Sequence, residues 1–256
     1  MTVTVLEAIL LGLVQGLTEF LPVSSSGHLV ITQALLGITD DVLIFDVFVH
    51  LGTLAAVFAA FWQDILALLK KPFCRFTALI IVGCIPAGLM GVLLNDFFNS
   101  LYNSLLVVAI ALIVTGILLF ISDRFHGEKT IADMSFGDAL LVGLFQGCAI
   151  VPGLSRSGST IFGSLLCGLK RAEAARYSFI LSIPVILGAA LLESIDIFTG
   201  ETVFEWTYFL GAAVAAACGY FAIRVFLKLL EKRNMRFFSY YVWLVAAAIL
   251  ISRIFA

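Results

Sequence analysis

The segment Gln15–His28 concentrates side chains that could carry out chemistry at one place in an otherwise apolar sequence. It contains a carboxylate, an amide, three consecutive hydroxyls and a histidine, and Pro22 interrupts it. In hydrocarbon, each unsatisfied polar group costs several kcal/mol. Polar, broken backbone at membrane depth is tolerated mainly where it lines a protein cavity, so this segment is a candidate functional site.

Glu19 and Gln15 are four residues apart and therefore share one face of a helix. Together they could hold a divalent cation through oxygen ligands, with water and a substrate phosphate completing the coordination shell. Glu19 could instead act as a general base. Gln15 taken alone is better explained by an interhelical hydrogen bond.

The three serines Ser24, Ser25 and Ser26 could supply a nucleophile or bind phosphate. A serine needs an adjacent base or a stabilising cation before it can attack. His28 lies three residues after Ser25 and could act as an acid or base near neutral pH. Alternatively, a serine caps a helix that begins near Gly27. Spacing alone does not choose among the three.

A second polar segment surrounds Arg156, which is flanked by serines and glycines. A guanidinium binds phosphate through two parallel hydrogen bonds, and glycines let backbone N–H groups approach an oxyanion. A helix that starts after Gly158 would also direct its positive dipole end at the anion. The alternative is an ion pair with Glu19, which substrate phosphate could displace. The candidate phosphate ligands of the two segments are Ser24, Ser26, Gly27, Ser155, Ser157 and Gly158.

The composition is that of an integral membrane protein. The chain is 62% hydrophobic and 12% charged, whereas soluble domains average about 45–50% and about 25%. It has no basic block with interleaved polar residues, so we expect no nucleic-acid partner. No Lys or Arg precedes Lys70, so the positive region of a signal peptide is lacking, and we expect the N-terminus to be retained.

Apolar runs long enough to cross a bilayer, which takes about 20 residues, predict six transmembrane helices. They lie at residues 43–62, 76–94, 105–122, 177–195, 207–227 and 237–255. Two shorter runs, at 5–20 and 28–37, predict a re-entrant helical hairpin that enters and leaves on one side. Residues 139–168 predict a second hairpin. Polar loops are predicted at 64–75, 95–103 and 123–138.

The two hairpins belong to an internal repeat. A shift of 131 residues places Gly12–Gly16 on Gly143–Gly147, and Ser24–Gly27 on Ser155–Gly158. We therefore predict a single all-α polytopic membrane domain, 1–256, with repeats at 1–127 and 132–256. Each repeat has one hairpin and three spans, and because three is odd, the second repeat is inverted. Matching short, interrupted segments indicate a binding site at the repeat interface.

The charges test this topology independently. One side holds most of the basic residues: Lys70, Lys71, Arg75, Arg124, Lys129, Lys170, Arg171, Arg176, Arg224, Lys228, Lys232, Arg233 and Arg236. The other side holds Arg253 and the acids Asp40, Asp41, Asp46, Asp96, Glu193, Asp196, Glu201 and Glu205. The positive-inside rule makes the basic side cytoplasmic. Both termini then face outward, and the polar tips of the hairpins meet within the membrane.

His50 lies in an apolar span, four residues after Asp46. We interpret it as a packed core or near-site histidine whose role is structural rather than chemical.

The segments Gln15–His28 and Pro152–Gly158 closely resemble the two motifs of the bacterial undecaprenyl-diphosphate phosphatase family, also called bacitracin-resistance proteins. The resemblance covers essentially the whole chain in length, motif separation and hydropathy. It implies hydrolysis of undecaprenyl diphosphate to the monophosphate and inorganic phosphate, which recycles the lipid carrier of peptidoglycan synthesis. It also implies a divalent cation, Mg²⁺ or Ca²⁺, and a plasma-membrane site that opens to the outer face.

The resemblance also implies roles for individual residues. Glu19 matches the second acid of the first motif, Ser25 the proposed nucleophile, His28 its histidine and Arg156 the phosphate-binding arginine. The first acidic position is Gln15 here. The family pattern is usually written with either Glu or Gln at that position, but the amide weakens any scheme that needs two carboxylates to hold the metal.

Two other classes of function remain open on the sequence. Inverted repeats are characteristic of secondary transporters, and a polyprenyl-phosphate flippase would need the same anion-binding tips. The third possibility is a catalytically inactive family member that only binds lipid. The amide of Gln15, at a position that can be acidic, is the only residue that indicates it. The expected partners are a polyprenyl diphosphate lipid and the bilayer, and a homodimer is compatible with the sequence.

Overall fold

The computed structural model describes residues 3–38, 43–102, 104–199, 205–232 and 235–255. Regular structure in this part of the chain is α-helical, apart from a 3₁₀ turn at Ile131–Asp133 and an isolated bridge between Lys129 and Leu169. The helices are α1 Val5–Phe20, α2 Ser25–Leu36, α3 Leu43–Ala60, α4 Trp62–Lys70, α5 Arg75–Leu93, α6 Asn95–Tyr102, α7 Leu105–Ser122, α8 Phe136–Cys148, α9 Arg156–Leu166, α10 Arg171–Thr199, α11 Trp206–Lys232 and α12 Arg236–Phe255.

Some of the charged residues used to predict the topology have side chains that the structure does not describe. The residues concerned are Asp40, Asp41, Glu193, Asp196, Glu201, Lys232 and Arg233. The extreme ends of the chain, residues 1–2 and 256, lie outside as well.

Five of the described helices are long and apolar enough to cross a membrane: α5, α7, α10, α11 and α12. Helices α3 and α4 form a sixth candidate if they count as one span, although the chain bends by 80° between them. Five of the six spans predicted from the sequence therefore correspond to helices of membrane-spanning length, and the span predicted at 43–62 corresponds to the bent pair. The prediction of an all-helical, multi-pass membrane protein is confirmed for the described residues.

Two of the predicted loops were wrong in detail, because α4 occupies much of 64–75 and α6 occupies most of 95–103. Both helices are short and amphipathic. Helix α4 buries Ile65 and exposes Trp62 and Leu69, while α6 buries Phe98. A helix of eight or nine residues that carries polar residues on one face does not stand out as an apolar run, so the sequence pattern missed both.

Besides α4 and α6, the helices α1, α2, α8 and α9 are too short to span a bilayer. At about 1.5 Å per residue, the 16 residues of α1 extend about 24 Å, against about 30 Å of bilayer hydrocarbon. Helix α1 begins at a capping box between Thr4 and Glu7, and α2 ends at Gly37 in the left-handed conformation. Helix α8 also begins at a capping box, between Ser135 and Asp138. The short helix pairs α1–α2 and α8–α9 therefore occupy the regions where the hairpins were predicted.

Small residues bring the short helices close to their neighbours. Helix α1 packs on α11, where a methyl group on Gly12 would lie 2.6 Å from the Gly211 carbonyl oxygen. Helix α8 packs on α5 in the same way, with Gly143 against the backbone of Gly83. Lipid tails are as apolar as leucine, so close backbone packing of this kind is a main source of helix association in membranes.

Helix α3 approaches α11 closely at Gly52, where an added Cβ would overlap the carbonyl oxygen of Ala212. We expect Gly52→Ala to push the two helices apart and to destabilise the protein by about 1–3 kcal/mol. The matched control is Gly188→Ala in α10, because no atom lies within 4 Å of its added Cβ. Thermal unfolding in detergent measures both variants. A Gly52 variant that unfolds at or above the wild-type temperature would contradict the close approach.

Candidate active site

The turn between α1 and α2 touches the turn between α8 and α9. The Gly153 N–H donates a hydrogen bond to Ser26 Oγ at 3.4 Å, and the Ser157 hydroxyl donates to the Leu21 carbonyl at 3.2 Å. A methyl group on Gly27 would lie 3.1 Å from the Gly153 Cα atom, so the two backbones are in contact. The polar segments of the two halves therefore meet, as the sequence predicts.

The first turn is held in an uncommon conformation. Among the described residues, Ser24 is the one non-glycine residue with positive φ, at 71°. Its hydroxyl accepts a hydrogen bond from the Gly27 N–H at 3.3 Å and thereby caps α2. The capping alternative is therefore confirmed for Ser24. Such backbone strain is uncommon, and it clusters at active sites and ligand clamps.

Glu19 is the centre of the site, and its side chain is almost completely buried. The Ser25 hydroxyl donates to Glu19 Oε2 at 2.5 Å, and Gln15 Nε2 donates to the same oxygen at 3.0 Å. Arg156 Nη2 forms an ion pair with Glu19 Oε1. The carboxylate thus links side chains from α1, α2 and α9, which sequence reasoning had assigned to one site.

Burial explains why Glu19 and Arg156 lie together. Removing a charge from water costs several kcal/mol, which only a partner in good geometry offsets. The side chain of Arg156 is 16% exposed and that of Glu19 is 4% exposed. Arg156 Nη1 and Gln15 Oε1 are also buried, and neither has a hydrogen-bond partner among the described residues. The site therefore holds one unused donor and one unused acceptor, which an oxyanion and a cation, respectively, could satisfy.

The second turn is braced by a small hydrogen-bond network. Ser155 Oγ accepts from the Gly158 N–H at 3.1 Å, so α9 begins at Arg156 and not after Gly158 as predicted. The Ser155 N–H donates to Thr115 Oγ1, whose hydroxyl donates to the Gly153 carbonyl, both at 3.0 Å. A helix N-terminus next to Arg156 strengthens the positive potential there.

The predicted phosphate-binding residues all lie at this junction of the two turns. Several of their hydroxyls are already engaged in contacts that hold the turns together, and phosphate binding by them stays a prediction. They are Ser24, Ser26, Gly27, Ser155, Ser157 and Gly158.

His28 points to a different neighbour from the predicted one. Its Nδ1 lies 2.8 Å from the Ser24 carbonyl oxygen and therefore donates, which leaves Nε2 to accept from the Tyr241 hydroxyl at 2.8 Å. The ring also stacks on Tyr241, with centroids 5.6 Å apart. The hydrogen bonds described for His28 thus fix the first turn against α12 and do not reach Ser25. Its role as an acid or base stays a prediction.

His50, interpreted from the sequence as a packed core or near-site histidine with a structural role, also lies at this site. Its Nε2 lies 4.0 Å from Glu19 Oε2, and its side chain is 33% exposed. Its Nδ1 donates to the Asp46 carbonyl at 2.7 Å. Ionisable residues within membrane spans are functional by default. That argument singled out the segment Gln15–His28, and it would equally have identified His50 as a candidate functional residue.

The donor atoms fit a cation only if substrate or water contributes as well. Among the described residues, no three His, Cys, Asp or Glu side chains form a metal-binding group. Glu19 and Gln15 offer a carboxylate and a buried amide oxygen without a partner. Mg²⁺ is commonly held by one or two carboxylates together with substrate phosphates and waters. The residues present are compatible with such a site.

Comparison with known proteins places the chain in a family. The family model of the bacitracin resistance protein BacA matches residues 8–248. A protein of Halothermothrix orenii named undecaprenyl-diphosphatase is 48% identical over 252 residues, which cover 96% of this chain and 97% of the relative. A protein of the same name from Carboxydothermus hydrogenoformans is 45% identical over 96% of this chain and 96% of its own length. Another from Alkaliphilus metalliredigens is 43% identical over 97% of this chain and 98% of its own length. The chain belongs to the family of bacitracin resistance protein BacA.

Proposed function

We propose that this protein hydrolyses undecaprenyl diphosphate to undecaprenyl phosphate and inorganic phosphate. This reaction recycles the lipid carrier of peptidoglycan synthesis and thereby confers bacitracin resistance. The observation that carries the proposal is the buried contact of Ser25 and Arg156 with one carboxylate, Glu19, where two polar turns meet inside an apolar protein. The relatives named undecaprenyl-diphosphatase support the same conclusion.

The site lies between two repeats, 1–127 and 132–256, of inverted topology, each with one re-entrant hairpin. Helix packing supports this arrangement. A shift of 131 residues relates α1 to α8 and places Gly88 of α5 on Gly219 of α11. In the structure α1 packs on α11 and α8 packs on α5. Each short helix therefore contacts a long helix of the other half, as an approximate two-fold relation requires.

The protein resides in the plasma membrane, with both termini outside and the site open to the outer face. The sidedness rests on the positive-inside rule, and the described ion pairs support a common side for the basic helix ends. Asp123, at the end of α7, binds Arg171 at 3.1 Å and lies 3.8 Å from Arg236 Nε, so the starts of α10 and α12 lie beside the end of α7. Arg176 similarly pairs with Asp64 of α4. The helix ends that the charge rule assigns to the cytoplasm are thus brought together.

Arg156 and Glu19 carry the binding step. The terminal phosphate of the substrate takes the guanidinium as its partner, since Nη1 has no hydrogen-bond partner among the residues that the structure describes. Glu19 and Gln15 would hold a divalent cation, which supplies further positive charge against the diphosphate. Neutralising this charge dominates the catalytic effect, because phosphoryl transfer depends chiefly on positioning and electrostatics.

Ser25 carries the chemical step. Its hydroxyl already donates to Glu19 Oε2, so the carboxylate is positioned to accept the proton. The Ser25 oxygen attacks the terminal phosphorus as the anhydride P–O bond breaks, and undecaprenyl phosphate leaves. A water molecule then hydrolyses the phosphoserine and releases inorganic phosphate. In the alternative mechanism water attacks the phosphorus directly, and Ser25 only binds phosphate.

The prenyl chain remains between helices. A cavity of about 450 Å³ with a wholly apolar lining lies beside the second turn. Val151 and Leu154 of that turn form one wall, and residues of α5, α6 and α7 form the others. Gly153, which lies between the two turn residues, is bonded to Ser26, so the apolar lining begins next to the polar site. Such a surface suits a hydrocarbon chain.

Phosphate release from purified protein in detergent tests the function. We expect release from undecaprenyl diphosphate, a loss of at least about 100-fold when a chelator removes the cation, and recovery with Mg²⁺ or Ca²⁺. A flippase only moves lipid across a bilayer and liberates no phosphate. An inactive lipid-binding protein would bind the lipid without turnover. Substrate that remains intact under every metal condition would overturn the proposal. Separately, light scattering of the same sample shows whether the protein forms a homodimer.

A further inference from the structure

We propose that His50 is a ligand of the divalent cation, and that it completes with Glu19 and Gln15 a site of one nitrogen and two oxygen donors. The proposal rests on the proposed function for the presence of a cation. It adds a donor from α3, which neither polar segment contains.

The first support is the orientation of the imidazole. Because Nδ1 donates to the Asp46 carbonyl, the lone pair of a neutral ring lies on Nε2, which is the atom nearest to Glu19. Metal-binding histidines almost always donate their other ring N–H to a carbonyl or carboxylate in this way. The ring is therefore held in the tautomer that a metal ion requires.

The second support is the distance between donors. Metal–nitrogen and metal–oxygen bonds measure about 2.0–2.2 Å, so two ligands of one ion lie at most about 4.3 Å apart. His50 Nε2 and Glu19 Oε2 are 4.0 Å apart. At this distance no direct hydrogen bond joins the two side chains. The gap admits an ion between them with a small adjustment of either side chain.

The third support is the free oxygen of Gln15. This side chain is fully buried, and its Oε1 has no partner among the described residues. Its Nε2 donates to Glu19 Oε2 at 3.0 Å, so the amide lies at the carboxylate. An unpaired buried acceptor costs about 1–3 kcal/mol, which coordination to a cation would relieve. A neutral amide replaces a carboxylate poorly, and a third donor compensates for that weakness.

The same site explains how the cation and Arg156 coexist. Both are positive, and the resting Glu19 is paired with Arg156. Substrate phosphate would draw the guanidinium away and leave the carboxylate for the metal. The cation should therefore bind more tightly when phosphate is present.

A nitrogen ligand changes the metal preference. Imidazole suits Co²⁺ and Zn²⁺ better than Ca²⁺ and Mg²⁺, which prefer oxygen ligands. We expect His50→Gln to weaken Co²⁺ binding about tenfold or more and to change Ca²⁺ binding less than about twofold, measured by titration with inorganic phosphate present. Equal losses for both ions would overturn the proposal.

Electron spin echo spectroscopy of bound Mn²⁺ provides the direct test. Detergent-solubilised protein with Mn²⁺ and inorganic phosphate should show modulation from a ¹⁴N nucleus of imidazole. His50→Gln should lose this signal, whereas His28→Gln and the control His126→Gln, at an exposed position after α7, should keep it. Bound Mn²⁺ without nitrogen modulation, or a signal retained in His50→Gln, would overturn the proposal.

Phosphate release from the same wild-type sample separates the two hypotheses. Release of phosphate without nitrogen coupling rejects the role of His50 and leaves the phosphatase function intact. Nitrogen coupling without release from undecaprenyl diphosphate rejects the function and retains the metal site. Thermal unfolding of His50→Gln confirms that the variant is folded before either result is used.

Discussion

Replacing Arg156 by alanine should reduce phosphate release from undecaprenyl diphosphate by at least about 10³-fold. Arginines that neutralise a transferring phosphoryl group contribute about 10³–10⁵ in rate. In this protein the guanidinium of Arg156 is buried next to Glu19, and its Nη1 donor has no partner among the described residues. Because the site is buried, water cannot take over the stabilisation of phosphate charge that the guanidinium would provide. The measurement is kcat/KM in detergent with saturating Mg²⁺ or Ca²⁺.

Arg156→Lys separates charge from geometry. Lysine keeps the positive charge but cannot form two parallel hydrogen bonds with one phosphate. We expect this variant to recover about tenfold over the alanine variant and to remain well below wild type. Full activity of Arg156→Lys would mean that only the charge matters.

Loss of stability could mimic loss of catalysis, because Arg156→Ala leaves the buried Glu19 carboxylate unpaired. Breaking a buried ion pair from one side costs about 3–5 kcal/mol. The double variant Glu19→Gln/Arg156→Ala removes both charges and should recover much of the unfolding temperature while remaining inactive. An Arg156→Ala protein with wild-type kcat/KM would show that the assigned site is wrong.

Sequence reasoning brought Glu19, Ser25 and Arg156 together because it used constraints that do not depend on detailed packing. Buried charges of opposite sign must be compensated, and short helices that cannot span must place their polar ends against protein. The repeat and the charge sorting then placed both turns at one depth. The structure brings these three side chains into contact as those constraints require.

The same constraints do not specify contacts that depend on the rotation of a helix about its own axis. Spacing places His28 and Ser25 on one side of α2, yet Tyr241 of α12, 213 positions away, takes the ring nitrogen. His50 reaches Glu19 because small residues let α3 pack closely on α11, which in turn contacts α1. Such long-range packing is not encoded in any local pattern of the sequence.

The second large effect is expected at Ser25. Ser25→Ala should lower kcat by at least about 10³-fold, because it removes the proposed nucleophile and the hydroxyl from which Glu19 accepts a hydrogen bond. Ser135→Ala is the matched control, since Ser135 caps α8 and is not among the predicted site residues. Loss of a cap costs about 1 kcal/mol of stability, so this variant should keep most of its activity.

Rapid quenching with substrate labelled in the terminal phosphate distinguishes the two mechanisms for Ser25. A nucleophilic serine should yield a labelled phosphoserine within one turnover, and Ser25→Ala should yield none. If Ser25→Ala instead keeps more than about a tenth of wild-type kcat, attack must come from water. Glu19 would then activate that water, and Ser25 would only bind phosphate. In both mechanisms the proposed proton acceptor is Glu19, which accepts a hydrogen bond from the Ser25 hydroxyl in the resting site.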